Sequence, residues 1–196
     1  VKKELSICMI VGKEEANIKR CLDSFAAIIH EPWCELIVVV TKDGDRTQEV
    51  AESYTDKVYF QPWQNDFSFH RNFAISHATG HFIMTVDADE ELPQQHLYWL
   101  QDLVLNPDNR NMKTIFLTIR SFHDKGRMQW SEILQPRIFA NEGQKIYAGT
   151  VHNRPECREP FWFVSEIWLN HYGYIWDGNP ELLEQKTLRS LSLLEK

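Results

Sequence analysis

Two aspartates one residue apart, Asp87 and Asp89, are followed at once by Glu90 and Glu91, and all four come after a short apolar run, Phe82-Ile83-Met84-Thr85-Val86. A run of that length and character predicts a buried strand. A buried strand delivers the residues after it to a fixed place at the C-terminal edge of the sheet, where open α/β sheets take their ligands. Ala88 between the aspartates lets a ligand approach the backbone, and both carboxylates can reach it. Carboxylates that close repel unless positive charge sits with them. A divalent cation carrying a phosphorylated substrate supplies that charge. The plainer reading is a loop and a first helical turn, with Glu90 and Glu91 complementing the dipole of a helix announced by Pro93, Leu97, Leu100 and Val104. A bare D-x-D does not separate the two readings.

The surrounding chain must hold this stretch in place. Leu5–Val11 reads as a buried strand, and Gly12 leads into a helix with Ile18, Cys21, Leu22, Phe25 and Ile29 on one face, stopped by Pro32. Residues 36–40 (LIVVV) form a second strand, apolar throughout, as expected of parallel strands covered on both sides. The turn after it runs into a helix that Asp45 caps, with Gln48 closing a capping box. Val58–Phe60 is a third strand, and 67–77 a helix containing Arg71, Asn72 and Phe73. Strand and helix alternating in this way predict a parallel α/β sheet. There is neither a G-x-G-x-x-G nor a phosphate-loop lysine motif, which disfavours dinucleotide and P-loop folds.

After Pro107 the character changes. Thr114–Phe122 alternates like a strand with one wetter face, and Met128-Gln129-Trp130, Pro136-Arg137-Ile138-Phe139, residues 146–151 and Ile167-Trp168-Leu169 read as further short strands. Residues 180–196 predict a last helix with Leu183, Leu191 and Leu194 roughly on one stripe.

Composition narrows the classes. With 196 residues, 43% hydrophobic and 25% charged, the chain can build one well-cored domain. A net charge of -7 argues against a general nucleic-acid binder, and no lysine-rich run suits anionic lipid. Neither a signal peptide nor a spanning segment is read. Cys8, Cys21, Cys34 and Cys157 form no C-x-x-C pair, and Cys8 and Cys21 sit among apolar residues, predicting buried thiols and a reducing compartment.

Taken in order, LSICMIVGKEEANIKRCLDSF, TDKVYFQPW, FHRNFAISHATGHFIMTVDADEEL, PRIFAN, YAGTVHN and LNHYGY resemble the family-2 glycosyltransferases, in which M-I-V-K-N-E-E followed by C-L-x-S is a common opening. The likeness covers roughly residues 5–174 and is strongest to bacterial members that build lipopolysaccharide cores and other surface glycans. The resemblance implies the GT-A fold: α/β, a mostly parallel central sheet flanked by helices, and a smaller mixed or antiparallel C-terminal part. It implies one glycosyltransferase domain over 1–196, with a nucleotide-binding half to about 106, an acceptor-side half over about 107–178, and a C-terminal helix over 179–196.

The resemblance also implies a nucleoside-diphosphate-sugar donor, a UDP-sugar first, and Mn2+ or Mg2+. Carried over, Asp87 contacts the ribose or, through water, the metal, with Ala88 beside it, and Asp89 ligates the metal directly. Val11, Glu14 and the Thr41-Lys42-Asp43 turn line the nucleoside pocket, and Arg71 lies near the nucleotide. His171 completes the metal site, since imidazole suits Mn2+. Trp130, Arg137, His152 and Tyr174 fall on the sugar or acceptor side, although ordinary packing accounts for such residues equally well. The acceptor is a glycan, lipid-linked or other hydroxyl and not a nucleic acid. The implied place is the cytoplasm, with room for peripheral contact with the inner face of a membrane.

Three departures bear on this. The family usually has an Asp where Val40 stands, a Gly-Ser pair where Lys42-Asp43 stands, and often a Glu where Asn153 stands. An inverting transfer needs a carboxylate to take the acceptor's proton, which Asn153 cannot supply. Glu132 in QWSEILQ is the leading candidate, with Asp177 behind it. Two rivals stay open. One is a catalytically silent nucleotide- or glycan-binding module with a transferase fold. The other is a D-x-D phosphatase, whose aspartyl strand normally opens the chain, whereas three strands precede it here.

Overall fold

The computed structural model describes residues 2–149 and 154–175. Strands β1 (Leu5–Val11), β2 (Cys34–Val40), β3 (Val58–Phe60) and β4 (Phe82–Val86) alternate with helices α1 (Glu15–Ile29), α2 (Thr47–Glu52) and α3 (Phe67–Ser76). Next come the two-residue β5 (Glu90–Glu91), α4 (Leu97–Leu105), and the long β6 (Thr114–Phe122) and β7 (Trp130–Ala140). A separate pair, β8 (Tyr147–Ala148) and β9 (Arg154–Pro155), precedes β10 (Phe161–His171). The main sheet has the order β3-β2-β1-β4-β7-β6-β10-β5. β7 runs antiparallel to both its neighbours and β5 to β10, while every other pairing is parallel.

β1, β2 and β4 are buried almost along their whole length because helices cover both faces, with Ser6, Glu35 and Thr85 as their only polar residues. The period of two divides each strand between two cores. From β1, Leu5, Ile7, Met9 and Val11 join the core that holds α1 and α4, and Cys8 joins the one beneath α3. From β2, Leu36, Val38 and Val40 take the first side and Ile37 and Val39 the second. The apolar stripe of α1 is as the periodicity predicts, with Ile28 added. All four cysteines are free, three of them buried and Cys157 exposed.

Two local expectations are corrected. Asp45 does serve a helix start, its Oδ1 accepting from the Thr47 backbone N–H at 3.0 Å, but Gln48 closes no capping box. Gln48 donates one turn onward to Glu52 at 2.7 Å. The other Asp45 oxygen accepts from the Glu15 N–H at 3.3 Å, and Thr47 Oγ1 from the Glu14 N–H at 2.8 Å, so this loop also caps α1. Of the short strands expected after Pro107, Trp130 and Pro136-Arg137-Ile138-Phe139 belong to one 11-residue strand and Ile167-Trp168-Leu169 to another, while the described part of 146–151 holds only the two-residue β8. Pro136 and the span between Val164 and Trp168 are absorbed at register shifts. A bulge reverses the in-out alternation, so one strand reads as two. The helix expected over 180–196 lies outside the described residues.

One buried carboxylate ties the early strands together. Glu35, 4% exposed, accepts from Lys57 Nζ at 2.6 Å, from the Thr79 N–H at 2.6 Å and from Ser6 Oγ. Ser6 Oγ in turn accepts from the Gly80 N–H at 2.8 Å. A Cβ on Gly80 would stand 2.7 Å from the Ser6 nitrogen, so only glycine lets the chain enter β4 this close to β1. Burial alone would raise the Glu35 pKa, but Lys57, Ser6 and Thr79 outweigh it and hold the carboxyl below its ordinary value. Glu35→Ala is therefore expected to cost roughly 2–4 kcal/mol in urea unfolding at pH 7, since it strips partners from several buried donors. The Glu35 contribution is fully present above the ordinary value of about 4.3 and is lost as pH falls through the lowered folded value. The wild-type and Ala midpoints should thus converge in acid.

Candidate active site

The C-terminal ends of β1, β2 and β4 open into one cleft of about 630 Å³. Val11, Gly12 and Glu14 line it after β1, Thr41 and Lys42 after β2, and Asp87, Ala88 and Asp89 after β4. Arg71 reaches in from α3 and His171 from the end of β10. Trp63 and Phe67 form an aromatic end, their rings 4.7 Å apart, with Trp63 also stacked on the buried His70 at 5.0 Å.

The acidic corner divides into two parts. Asp87 is held by protein cations: Arg71 Nη2 lies 2.7 Å from Oδ1 and Arg137 Nη1 3.6 Å from Oδ2. Arg137 also donates to Glu90, which is fully buried and whose Oε2 accepts from the Asp87 N–H at 3.0 Å. Burial opposes the charge on Asp87, but the two guanidiniums outweigh it and hold its carboxyl well below the usual range. Glu90 is pushed up to about 7, by burial first and then by the Asp87 charge, against the pull of Arg137. Arg71 is backed by the Tyr147 ring at 5.3 Å, whose hydroxyl pairs with Thr85 Oγ1 at 2.8 Å. Asn72, to which the sequence assigns no role, holds Tyr147 in place by accepting from its N–H at 3.0 Å and donating to its carbonyl at 2.7 Å.

Asp89 has a different setting. Its Oδ2 faces His171 Nε2 at 3.5 Å, and the other ring nitrogen, Nδ1, pairs with Ser121 Oγ at 3.1 Å. Burial of the ring opposes protonation, but the hydrogen bond and charge of Asp89 outweigh it and raise the His171 pKa. A Cβ on Gly173 would intrude on both Asp89 Oδ2 and His171 Nε2, so glycine leaves the space over this pair open. One carboxylate oxygen and one imidazole nitrogen facing such a space fit Mn2+, and Mg2+ less well. Among the described residues no three acidic, histidine or cysteine side chains gather to hold an ion by themselves. A metal here would take its remaining ligands from water and phosphate oxygens.

A family model described as glycosyl transferase family 2 matches residues 6–164. The chain belongs to that family. An uncharacterized glycosyltransferase of Rickettsia bellii is 33% identical over 90% of this chain and 60% of its own length. A TPR repeat-containing protein of Synechococcus elongatus is 31% identical over 87% of this chain and 42% of its own. The glycosyltransferase SunS of Bacillus subtilis is 26% identical over 96% of this chain and 43% of its own. This glycosyltransferase domain thus spans less than half the length of the latter two. Among solved structures, S. aureus TarS 1-349 superposes with a TM-score of 0.60 at 14% identity, over 94% of this chain and 64% of that one. The fold is GT-A, as the motifs implied.

Several residues named from the sequence of this family-2 domain converge on the cleft: Val11, Glu14, Thr41, Arg71, Asp87, Ala88, Asp89 and His171. Others do not. Asp43 is exposed and outside the cleft lining, where Lys42 stands instead. Val40 is 1% exposed in the core beneath α1, and the cleft is faced instead by Thr41, the first residue after β2. Arg137, expected on the sugar or acceptor side, is 7% exposed, outside the cleft lining, and paired with Glu90 and Asp87. Glu90 and Glu91 are not helix-dipole partners. They form β5, pairing with Asn170 and His171, and α4 begins only after a turn over Gln94–His96.

Glu132 is bound to Arg120 at 2.7 Å and Trp130 is exposed with Arg120 at 5.9 Å, neither lining the cleft. Tyr174 lies with its ring 4.9 Å from that of His171. His152, Asn153 and Asp177 lie outside the described residues. Sequence reasoning missed Trp63, three residues beyond β3, which the hydrogen bond from its backbone N–H to the Thr41 carbonyl at 3.0 Å brings to the same cleft as Asp87. No described helix is long and apolar enough to cross a membrane.

Proposed function

We propose that this domain is a metal-dependent, inverting glycosyltransferase. It takes a sugar from a nucleoside diphosphate, a UDP-sugar first, and passes it to a hydroxyl of a glycan or lipid-linked acceptor. The observation that carries the reading is the Asp89–His171 pair, 3.5 Å apart in the lining of a cleft that Arg71 and Lys42 also line. TarS, whose UDP complex superposes with a TM-score of 0.57 at 14% identity, lends support to the donor class.

In this reading the aromatic end at Trp63 takes the base and Arg71 faces the diphosphate. Asp89 and His171 hold Mn2+ or Mg2+, which when bound offsets the charge that builds on the departing diphosphate. Asp87, already neutralised by two arginines, serves as a fixed acceptor for the ribose. That arrangement also sets aside the phosphatase rival, in which the first Asp must be a free nucleophile. In this reading the acceptor enters from the side of β7, β6 and β10, which lie beyond β4 and away from β3 and β2 in the sheet order. The acceptor's proton goes to a carboxylate: Glu132 of β7, once released from Arg120, or Asp177, which lies outside the described residues.

A thermal-shift screen of UDP, GDP, CDP and dTDP and their sugars, with and without Mn2+, tests the reading. One diphosphate should raise the melting temperature, and more so with Mn2+. Release of sugar from the matching donor should then follow. A donor that binds yet is neither hydrolysed nor transferred would assign a silent binding module instead. Arg71→Ala is expected to weaken affinity for that diphosphate about tenfold in calorimetry, the effect of losing one charge-assisted contact. Unchanged affinity would leave Arg71 with Asp87 alone.

A further inference from the structure

The backbones of Asp89 and His171 are fixed independently of any ligand. β10 pairs with β5 through His171 and Glu90, and the Tyr172 N–H donates to Asp89 O at 2.9 Å. The backbone leaves open the rotation of the imidazole and which of its nitrogens carries the proton. Ser121 bears on both. It stands directly opposite His171 in the β6–β10 register, is 6% exposed, and places Oγ 3.1 Å from Nδ1. With no ion present Nε2–H faces the Asp89 carboxylate, and Ser121 Oγ can pair with Nδ1 in either direction; an Nδ1–H that donates to Ser121 leaves Nε2 bare for an ion. Gly173 acts on the same space from the other side, because a Cβ there would meet His171 Nε2 at 2.7 Å and Asp89 Oδ2 closer still.

We propose that Ser121 and Gly173 are positioning residues for the ion seat: Ser121 orients His171 with Nε2 toward Asp89 and takes the Nδ1 proton when Nε2 holds an ion, and Gly173, having no Cβ, leaves the space beside the two atoms unfilled. The inference rests on the metal-dependent reading above but concerns residues that this reading does not use. Neither residue need touch the ion, the nucleotide or the sugar.

The test is a Mn2+ titration followed by electron paramagnetic resonance, in the presence of whichever of UDP, GDP, CDP or dTDP stabilises the protein most. Ser121→Ala should weaken Mn2+ affinity by about 10- to 100-fold, the usual effect of losing the group that orients a ligating histidine. Its melting temperature and its metal-free nucleotide affinity should stay at wild-type values. Ser121→Thr, which retains the hydroxyl, should restore the affinity, a rescue that a merely structural role would not give. Gly173→Ala should weaken Mn2+ at least as much, again without loss of metal-free nucleotide. If Ser121→Ala and Gly173→Ala both bind Mn2+ as the wild type does, this inference falls and the metal-dependent reading survives. If the wild type itself takes up no Mn2+ with any of the four nucleotides, that reading falls and takes this inference with it.

Discussion

Asp89→Asn is expected to lower kcat/KM for sugar release or transfer about 10³-fold while leaving the urea midpoint close to wild type. The size follows from charge: an ion gripped beside a departing diphosphate stabilises it by several kcal/mol, and each ~1.4 kcal/mol is a factor of ten in rate. An amide keeps the volume of the side chain and removes the anionic ligand. The fold should tolerate this, because Asp89 is partly exposed and its carboxylate meets His171 only at 3.5 Å, whereas its backbone carbonyl keeps the Tyr172 N–H. The measurement is kcat/KM against Mn2+ concentration, with urea unfolding alongside. An Asn variant whose rate still rises with Mn2+ as in the wild type would remove Asp89 from the metal site.

Arg137→Met should show the opposite profile, a large loss of stability. Arg137 stands between Asp87, which lines the cleft, and Glu90, which has no exposure to solvent. Methionine fills much the same volume but leaves Glu90 buried without its cation. Removing one partner of a buried pair in this way costs about 3–5 kcal/mol. Glu90 is already pushed up to about 7 by its burial, and Arg137 is what opposes that rise. Adding Glu90→Gln should therefore recover a good part of the loss, since glutamine can still accept from the Asp87 N–H and carries no charge. A double-mutant cycle by urea unfolding measures this coupling. Losses of Arg137→Met and Glu90→Gln that simply add would mean the two side chains do not share a network.

The same pair of arginines shows where inference from the sequence stops. The spacing of Asp87 and Asp89 makes a single divalent ion the natural partner for both charges. In the fold, Arg71 comes from α3, 16 residues before Asp87, and Arg137 from β7, 50 residues after it. Neither spacing carries a pattern, so no reading along the chain could assign them to Asp87 in preference to Asp89. His171 is legible through a family motif, but its orientation depends on Ser121, a strand neighbour set only by register.

By itself the sequence determined the strand-and-helix alternation as far as β4, the apolar face of α1, the placing of an acidic turn at a strand end, and, through ordered motifs, the family. These are local or periodic properties: a period of two or 3.6 residues is written in consecutive side chains, and so is a motif. Tertiary structure alone decided which carboxylate is neutralised by arginines and which faces a histidine, that Val40 faces the core while Thr41 faces the cleft, and that Pro136-Arg137-Ile138-Phe139 and Ile167-Trp168-Leu169 belong to long bulged strands. Each of these turns on a partner brought in from a distant element, and Coulomb and hydrogen-bond energies depend on separation in space, which separation along the chain does not report.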